Sequence, residues 1–270
     1  MKEVYYLIVG LPRSGNTVLH LALAAHPQVS ACIDEIKYHP FFSEGISVFT
    51  RGGETEQEKQ NSHLGLFQMM ASLSGKKKVK AYGLHTVISH TEAADLVYAI
   101  QKNYPAVRII YVKRLNIIAQ LASVIRSDKK QLWISMQPVE PDYSPLSIDR
   151  QHLIEYTQQV IRALDRMEDL KTTHSVKEWI YEFQLEQCQN FTELFDFLGL
   201  DGFYAYPFLP SKLNPPARTY VHDYFELLEI VARIIEQEPI HLGLKKQFLD
   251  YIQTELSAPL DKSKPDFAAA

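Results

Sequence analysis

Tyr5-Tyr6-Leu7-Ile8-Val9-Gly10-Leu11-Pro12-Arg13-Ser14-Gly15-Asn16-Thr17 is the stretch whose reading decides the fold. The apolar run up to Val9 reads as a buried strand. It breaks at Gly10, turns through Pro12-Arg13-Ser14-Gly15, and opens into Val18-Leu19-His20-Leu21-Ala22-Leu23-Ala24-Ala25, which reads as a helix. Strand, glycine loop and helix N-terminus together make an anion site, because the loop N–H groups point inward and the helix dipole adds partial positive charge. Gly10-x4-Gly15 followed by the hydroxyl of Thr17 has the spacing of a phosphate-binding loop. Loops of this kind that hold a triphosphate carry a lysine between the second glycine and the hydroxyl residue, and here that position is Asn16. Pro12, Arg13, Ser14, Gly15, Asn16 and Thr17 are therefore the candidate oxyanion ligands. Arg13 adds a fixed cation at the loop crown, but Asn16 cannot supply the missing charge.

Outward from the loop, strand-like runs alternate with helical ones. Further strands are expected at Val29–Cys32, Lys78–His85, Val107–Lys113 and Ser175–Ile180. Helices are expected over Thr91–Asn103, Asn116–Ser127, Asp149–Leu170 and Leu185–Leu198, the last stopped by Gly199. The alternation predicts an α/β protein with a P-loop-like three-layer fold, a central parallel sheet flanked by helices. Two polar, irregular stretches, Tyr38–Lys77 and Asp128–Ser147, interrupt it and read as lids or insertions. There is no internal repeat and no linker, so residues 1–256 are expected to form a single domain, with 257–270 a flexible tail.

The bulk numbers narrow the partners. With 270 residues and a net charge of -4, the chain can bury a large core and is not a general nucleic-acid binder. Its two cysteines, Cys32 and Cys188, do not make a disulfide framework, which points to a reducing compartment. The first apolar run is too short to span a membrane and lacks a cleavage pattern. A soluble, cytoplasmic protein is expected, and a homodimer is compatible with this reading. No His/Cys cluster shows metal-ligand spacing, so no metal is expected.

The loop Gly10-Leu-Pro-Arg-Ser-Gly-Asn-Thr17, with Ala25-His26-Pro27-x-Val29 after it, resembles the 5′-phosphosulfate loop of sulfotransferases. That loop usually reads Pro-(Arg/Lys)-Ser-Gly-Thr-(Thr/Ser), so Asn16 departs from it at one position. The resemblance is to the bacterial type, near the trehalose sulfotransferase-like and tyrosylprotein sulfotransferase branches. It implies 3′-phosphoadenosine 5′-phosphosulfate (PAPS) as co-substrate and PAP as product. A second block agrees: Arg114 follows a strand, and Gln120 and Ser123 lie on the next helix, like the family's 3′-phosphate site. Physically, Arg114 offers a fork of donors to a phosphate dianion, and Ser123 offers one more. The block Trp179-Ile180-Tyr181-Glu182…Phe195-Asp196-Phe197-Leu198-Gly199-Leu200 is similar to a later family motif, although its own pattern is that of a helical scaffold. Pro215-Pro216-Ala217-Arg218 resembles the family's C-terminal end, which makes Arg218 a further candidate for the 3′-phosphate.

Sulfuryl transfer to a hydroxyl needs an in-line nucleophile, a base for its proton, and donors for the charge that develops on oxygen. The loop N–H groups and Arg13 meet the last need. Two residues are candidates for the base. Glu35 follows the second strand, where the tyrosylprotein and trehalose-type relatives place a glutamate, with Asp34 beside it. His85 is expected at the end of the third strand, where cytosolic sulfotransferases carry a histidine; an imidazole suits proton removal near neutral pH. The acceptor is expected to be a carbohydrate or small-molecule alcohol bound over the strand ends. Tyr38, His39, Phe41, Phe42, Trp133 and Tyr143 are candidates for its walls. A P-loop kinase of a small metabolite and a non-catalytic nucleotide-binding module of the same fold are the alternatives at this stage.

Overall fold

The computed structural model describes residues 4–31, 79–87, 106–130, 142–171, 175–188, 191–201 and 216–258. Five strands form one parallel sheet: β1 (Val4–Gly10), β2 (Val29–Ala31), β3 (Ala81–Val87), β4 (Arg108–Lys113) and β5 (Val176–Ile180). Their spatial order is β2-β3-β1-β4-β5. β1 lies at the centre because it is apolar on both faces, the pattern a strand needs when helices cover both sides of a parallel sheet. Alternate residues of β1 serve opposite cores. Leu7 and Val9 pack with Ile109 and Tyr111, and Tyr6 and Ile8 pack with Ile110 and Val112.

On the first face lie α2 (Ile117–Lys130), α3 (Arg150–Lys171) and the C-terminal pair α5 (Tyr224–Gln237) and α6 (Leu242–Ser257). Leu121, Val160, Leu228 and Phe248 carry this core. On the second face lie α1 (Asn16–Ala24) and α4 (Thr192–Leu198), whose Leu19, Leu23, Leu194 and Leu198 are fully enclosed. The layers, the parallel sheet and four of the five strands match the sequence expectation closely.

The remaining differences have local causes. The third strand begins and ends later than expected, at Ala81 and Val87, so His85 lies within it. The helix expected over 185–198 is divided. A π-helical segment, Tyr181–Cys188, leaves β5 directly, with the Gln184 side chain accepting the N–H of Ile180 at 2.6 Å. Only Thr192–Leu198 is α-helical, ending at Gly199 as expected. The amphipathic α5 and α6 have no counterpart in the sequence reading. The expected helix over Thr91–Asn103, residues 32–78 and most of the expected tail lie outside the described residues.

Register positions the site. Gly10 of β1 pairs with Val112 of β4, and Lys113 pairs with Ile180 of β5. The residues that follow these ends, Leu11, Arg114 and Tyr181, therefore emerge side by side at the C-terminal edge of the sheet. Connections from β1 and β4 go to opposite faces, so a crevice opens between them, where ligands of such sheets bind.

Candidate active site

The β1–α1 loop is built from two backbone exceptions. Gly15 caps α1 with φ 96°, and Arg13 at the crown has φ 62°. A non-glycine residue in the left-handed region costs about 1–2 kcal/mol, so the surrounding contacts must hold Arg13 there. Gly10 answers to a different need. A Cβ there would lie 2.2 Å from Asn16 Oδ1 and 2.6 Å from the carbonyl of Val112. Asn16 is itself buried, and its Nδ2 donates to the carbonyl of Leu11 at 3.3 Å. The residue that replaces the expected lysine is thus folded into the base of the loop, where it closes the turn instead of reaching outward.

α2 clamps the crown of the loop from the β4 side. Gln120, fully buried, donates through Nε2 to the carbonyl of Pro12 at 2.7 Å and to Ser14 Oγ at 3.1 Å. Arg13 Nε donates to Ser123 Oγ at 2.8 Å. Arg114 Nη1 donates to the carbonyl of Arg13 at 3.2 Å. The structure therefore gathers Arg13, Ser14, Arg114, Gln120 and Ser123 from three elements. Burial and then the neighbouring Arg114 lower the pKa of the Arg13 guanidinium. Two guanidiniums held this close in a half-buried site are a charge arrangement that an anion relieves. Thr17 lies in the first turn of α1, half-buried.

Arg114, just past the end of β4, has further company in the block after β5, whose sequence pattern alone is that of a helical scaffold. The Tyr181 ring lies 4.5 Å from the Arg114 guanidinium carbon, and Glu182 lies 3.6 Å from Arg114 Nε. Burial raises the pKa of the Glu182 carboxyl, and Arg114 and the backbone N–H groups of Leu115 and Asn116 oppose that shift. The sequence signal was available: Tyr181 and Glu182 follow β5 directly, and the residues after parallel strands share one edge. Lys113, one residue before Arg114, points to the other side of the sheet. It is fully buried and pairs with Glu178 at 2.5 Å and Glu168 at 3.5 Å, tying β4 to β5 and α3. Arg126, in the same motif as Ser123, stacks 3.6 Å over the Tyr220 ring and donates to the carbonyls of Asp142 and Ser144.

His85 is buried against His20 of α1, with ring centroids 4.5 Å apart. The sequence placed it at a strand end; the structure places it between β3 and α1, two residues before that end. Arg218 is exposed on a 3₁₀ turn, Ala217–Thr219. Tyr143 is 49 % exposed. Glu35, Asp34, Tyr38, His39, Phe41, Phe42 and Trp133 lie outside the described residues. The Ala25-His26-Pro27 motif has a structural explanation. His26 Nδ1 accepts the N–H of Gln28 at 3.1 Å, so its Nε2 is the donor to the carbonyl of Asp201 at 3.0 Å, joining the end of α1 to the end of α4. Among the described residues, no group of three or more His, Cys, Asp or Glu could hold a metal ion, and no helix is long and apolar enough to cross a membrane.

The parallel α/β sheet thus carries a lysine-free glycine loop, flanked by an arginine and a serine from the next strand–helix unit. The chain belongs to the sulfotransferase family, whose family model matches residues 6–203. Its fold is similar to that of a sulfotransferase from Alicyclobacillus acidocaldarius, at a TM-score of 0.51 and 15% identity, covering 96% of this chain and 98% of that one. It is also similar to the sulfotransferase domain of the Synechococcus PCC 7002 olefin synthase, at a TM-score of 0.49 and 16% identity, covering 96% and 98% of the two chains. Mouse sulfotransferase SULT7A1, solved in complex with PAP, aligns at a TM-score of 0.49 and 10% identity, covering 94% of this chain and 90% of that one. No curated protein matches the chain.

Proposed function

We propose that the protein transfers a sulfuryl group from PAPS to a hydroxyl of a carbohydrate or small-molecule alcohol. The observation that carries this reading is the convergence of Arg13, Ser14, Gln120, Ser123 and Arg114 around a loop whose lysine position is closed by Asn16. Membership of the family supports it. In this reading the loop N–H groups, Ser14, Thr17 and Arg13 hold the phosphosulfate, and Arg114 and Ser123 hold the 3′-phosphate. Arg218 is an auxiliary cation for the same phosphate. The acceptor oxygen forms a bond to sulfur as the bond from sulfur to the 5′-phosphate oxygen breaks. PAP leaves with that electron pair, and the acceptor proton passes to a base. Arg13 and the loop offset the charge that grows on the bridging oxygen.

We assign the base to Glu35, with His85 as its rival. His85 is enclosed, its ring centroid 4.5 Å from that of His20. A kinase reading would need a lysine where Asn16 is packed. The test is PAP release from PAPS, measured against a panel of sugars, phenols and aliphatic alcohols. Acceptor-dependent PAP formation with an equal yield of sulfate ester is the expected result. Acceptor-independent hydrolysis alone, or no turnover while PAP binds tightly, would overturn transfer as the function.

A further inference from the structure

Glu182 is the third side chain at the strand ends, and nothing in the proposed transfer step uses it. It is 3 % exposed. Its Oε2 accepts the N–H of Leu115 at 2.9 Å, and its Oε1 accepts the N–H of Asn116 at 3.0 Å. The same Oε1 lies 3.6 Å from Arg114 Nε. One buried carboxylate thus accepts two consecutive backbone N–H groups of the turn that joins β4 to α2 and forms an ion pair with the arginine before them.

That geometry sets the direction of a guanidinium. Arg114 is held at its Nε edge by Glu182, at Nη1 by the carbonyl of Arg13, and across one face by the Tyr181 ring. The turn it grows from is fixed by the same carboxylate, which meets the N–H groups just before α2, at the positive end of the helix. Asn116 extends the support: its Oδ1 accepts the N–H of Ala119 at 2.8 Å, and its Nδ2 donates to the hydroxyls of Tyr224 and Tyr251. Arg114 and the backbone N–H groups of Leu115, Asn116 and Glu182 itself are all donors toward this carboxyl, which is why a carboxylate suits the position and an amide does not. A glutamine would turn an NH₂ toward one of those N–H groups.

We infer that Glu182 is a positioning residue for Arg114, acting through it on recognition of the 3′-phosphate. This rests on the proposed function, in which Arg114 holds that phosphate.

The test is a double-mutant cycle read by calorimetry with two ligands, PAP and AMP, which differ only by the 3′-phosphate. Glu182→Gln should weaken PAP by about tenfold, as loss of a charge-assisted contact would, and leave AMP within about twofold. In an Arg114→Ala background, which has already lost the arginine's contact with the 3′-phosphate, Glu182→Gln should change PAP affinity by no more than about twofold. A scaffold role predicts something else: equal loss for PAP and AMP, by the same factor in both backgrounds. That result, or no loss at all, overturns the inference alone. A wild-type chain that binds PAP and AMP equally overturns the proposed function and the inference with it. Should Glu182→Gln fail to fold, Glu182→Asp keeps the charge but withdraws it by one methylene, and the same outcomes decide.

Discussion

Replacing Gly10 by alanine probes the packing that explains Asn16. The new Cβ would meet Asn16 Oδ1 at 2.2 Å and the Val112 carbonyl at 2.6 Å, both far inside contact distance. The Asn16 amide is a side chain and can move. The Val112 carbonyl belongs to the neighbouring central strand, in register with Gly10, and cannot move without distorting β4. Overpacking of this kind costs about 1–3 kcal/mol, and the backbone clash places Gly10→Ala near the top of that range, at about 2–3 kcal/mol. For a chain of 270 residues, that corresponds to a midpoint about 4–12 °C lower in thermal denaturation. Asn16→Ala removes only one of the two clashes, so the double variant should recover part of the loss, about 1 kcal/mol of coupling. PAP affinity should fall with Gly10→Ala as well, because a displaced loop turns its N–H groups away from the anion. A variant that melts within about 1 °C of wild type and binds PAP normally would refute the claim that Asn16 and Gly10 close the loop together.

Other perturbations address separate parts of the account. Gln120→Glu turns acceptors toward the Pro12 carbonyl and Ser14 Oγ; calorimetry should show PAP and adenosine 5′-phosphosulfate both weakened by about tenfold or more, since the 5′ side of the site is disturbed. Unchanged affinity for either ligand would contradict the clamp. Glu35→Gln should abolish single-turnover transfer without weakening PAP, whereas His85→Gln should retain it; the reverse outcome moves the base to His85. His241 tests the link between α3 and α6. Its hydrogen bond to Asp165 raises its pKa above the ordinary value of 6.5, aided by the charges of Asp165 and Asp169. A raised histidine value stabilises the fold below the unfolded value and loses that contribution as pH rises through the folded one. His241→Gln should therefore melt below wild type at pH 6, with the gap closing toward pH 9. A gap that is constant with pH would remove the ion pairs from the explanation.

Much of this architecture was legible because periodicity and punctuation agreed. The run Val4–Val9, the Pro12–Gly15 turn and the helix after it each carry a local signal strong enough to specify one element. Arg114, Gln120 and Ser123 could be found because their block resembles the 3′-phosphate site of sulfotransferases. The rest depends on contacts between distant residues. Nothing local tells that Asn16 turns inward, since that follows from its meeting Leu11 and Gly10 across the loop. Glu182 looked like one polar position on a helix because its partners lie 66 and 67 residues away in sequence, brought near by the β4–β5 register. His85 was misplaced relative to its strand end by two residues, a shift decided by pairing with β1 and not by the strand's own composition.

The central claim is that this loop, with Asn16 in the lysine position and Arg114 and Ser123 beside it, binds a nucleotide bearing 5′ and 3′ phosphates without a metal-bound triphosphate. Calorimetry of the full chain with PAP in EDTA, set against ATP with Mg²⁺, tests it most directly. The account predicts that PAP binds at least about tenfold more tightly than ATP with Mg²⁺, and that EDTA leaves PAP affinity unchanged. Tighter binding of ATP with Mg²⁺, or loss of PAP binding in EDTA, would contradict it.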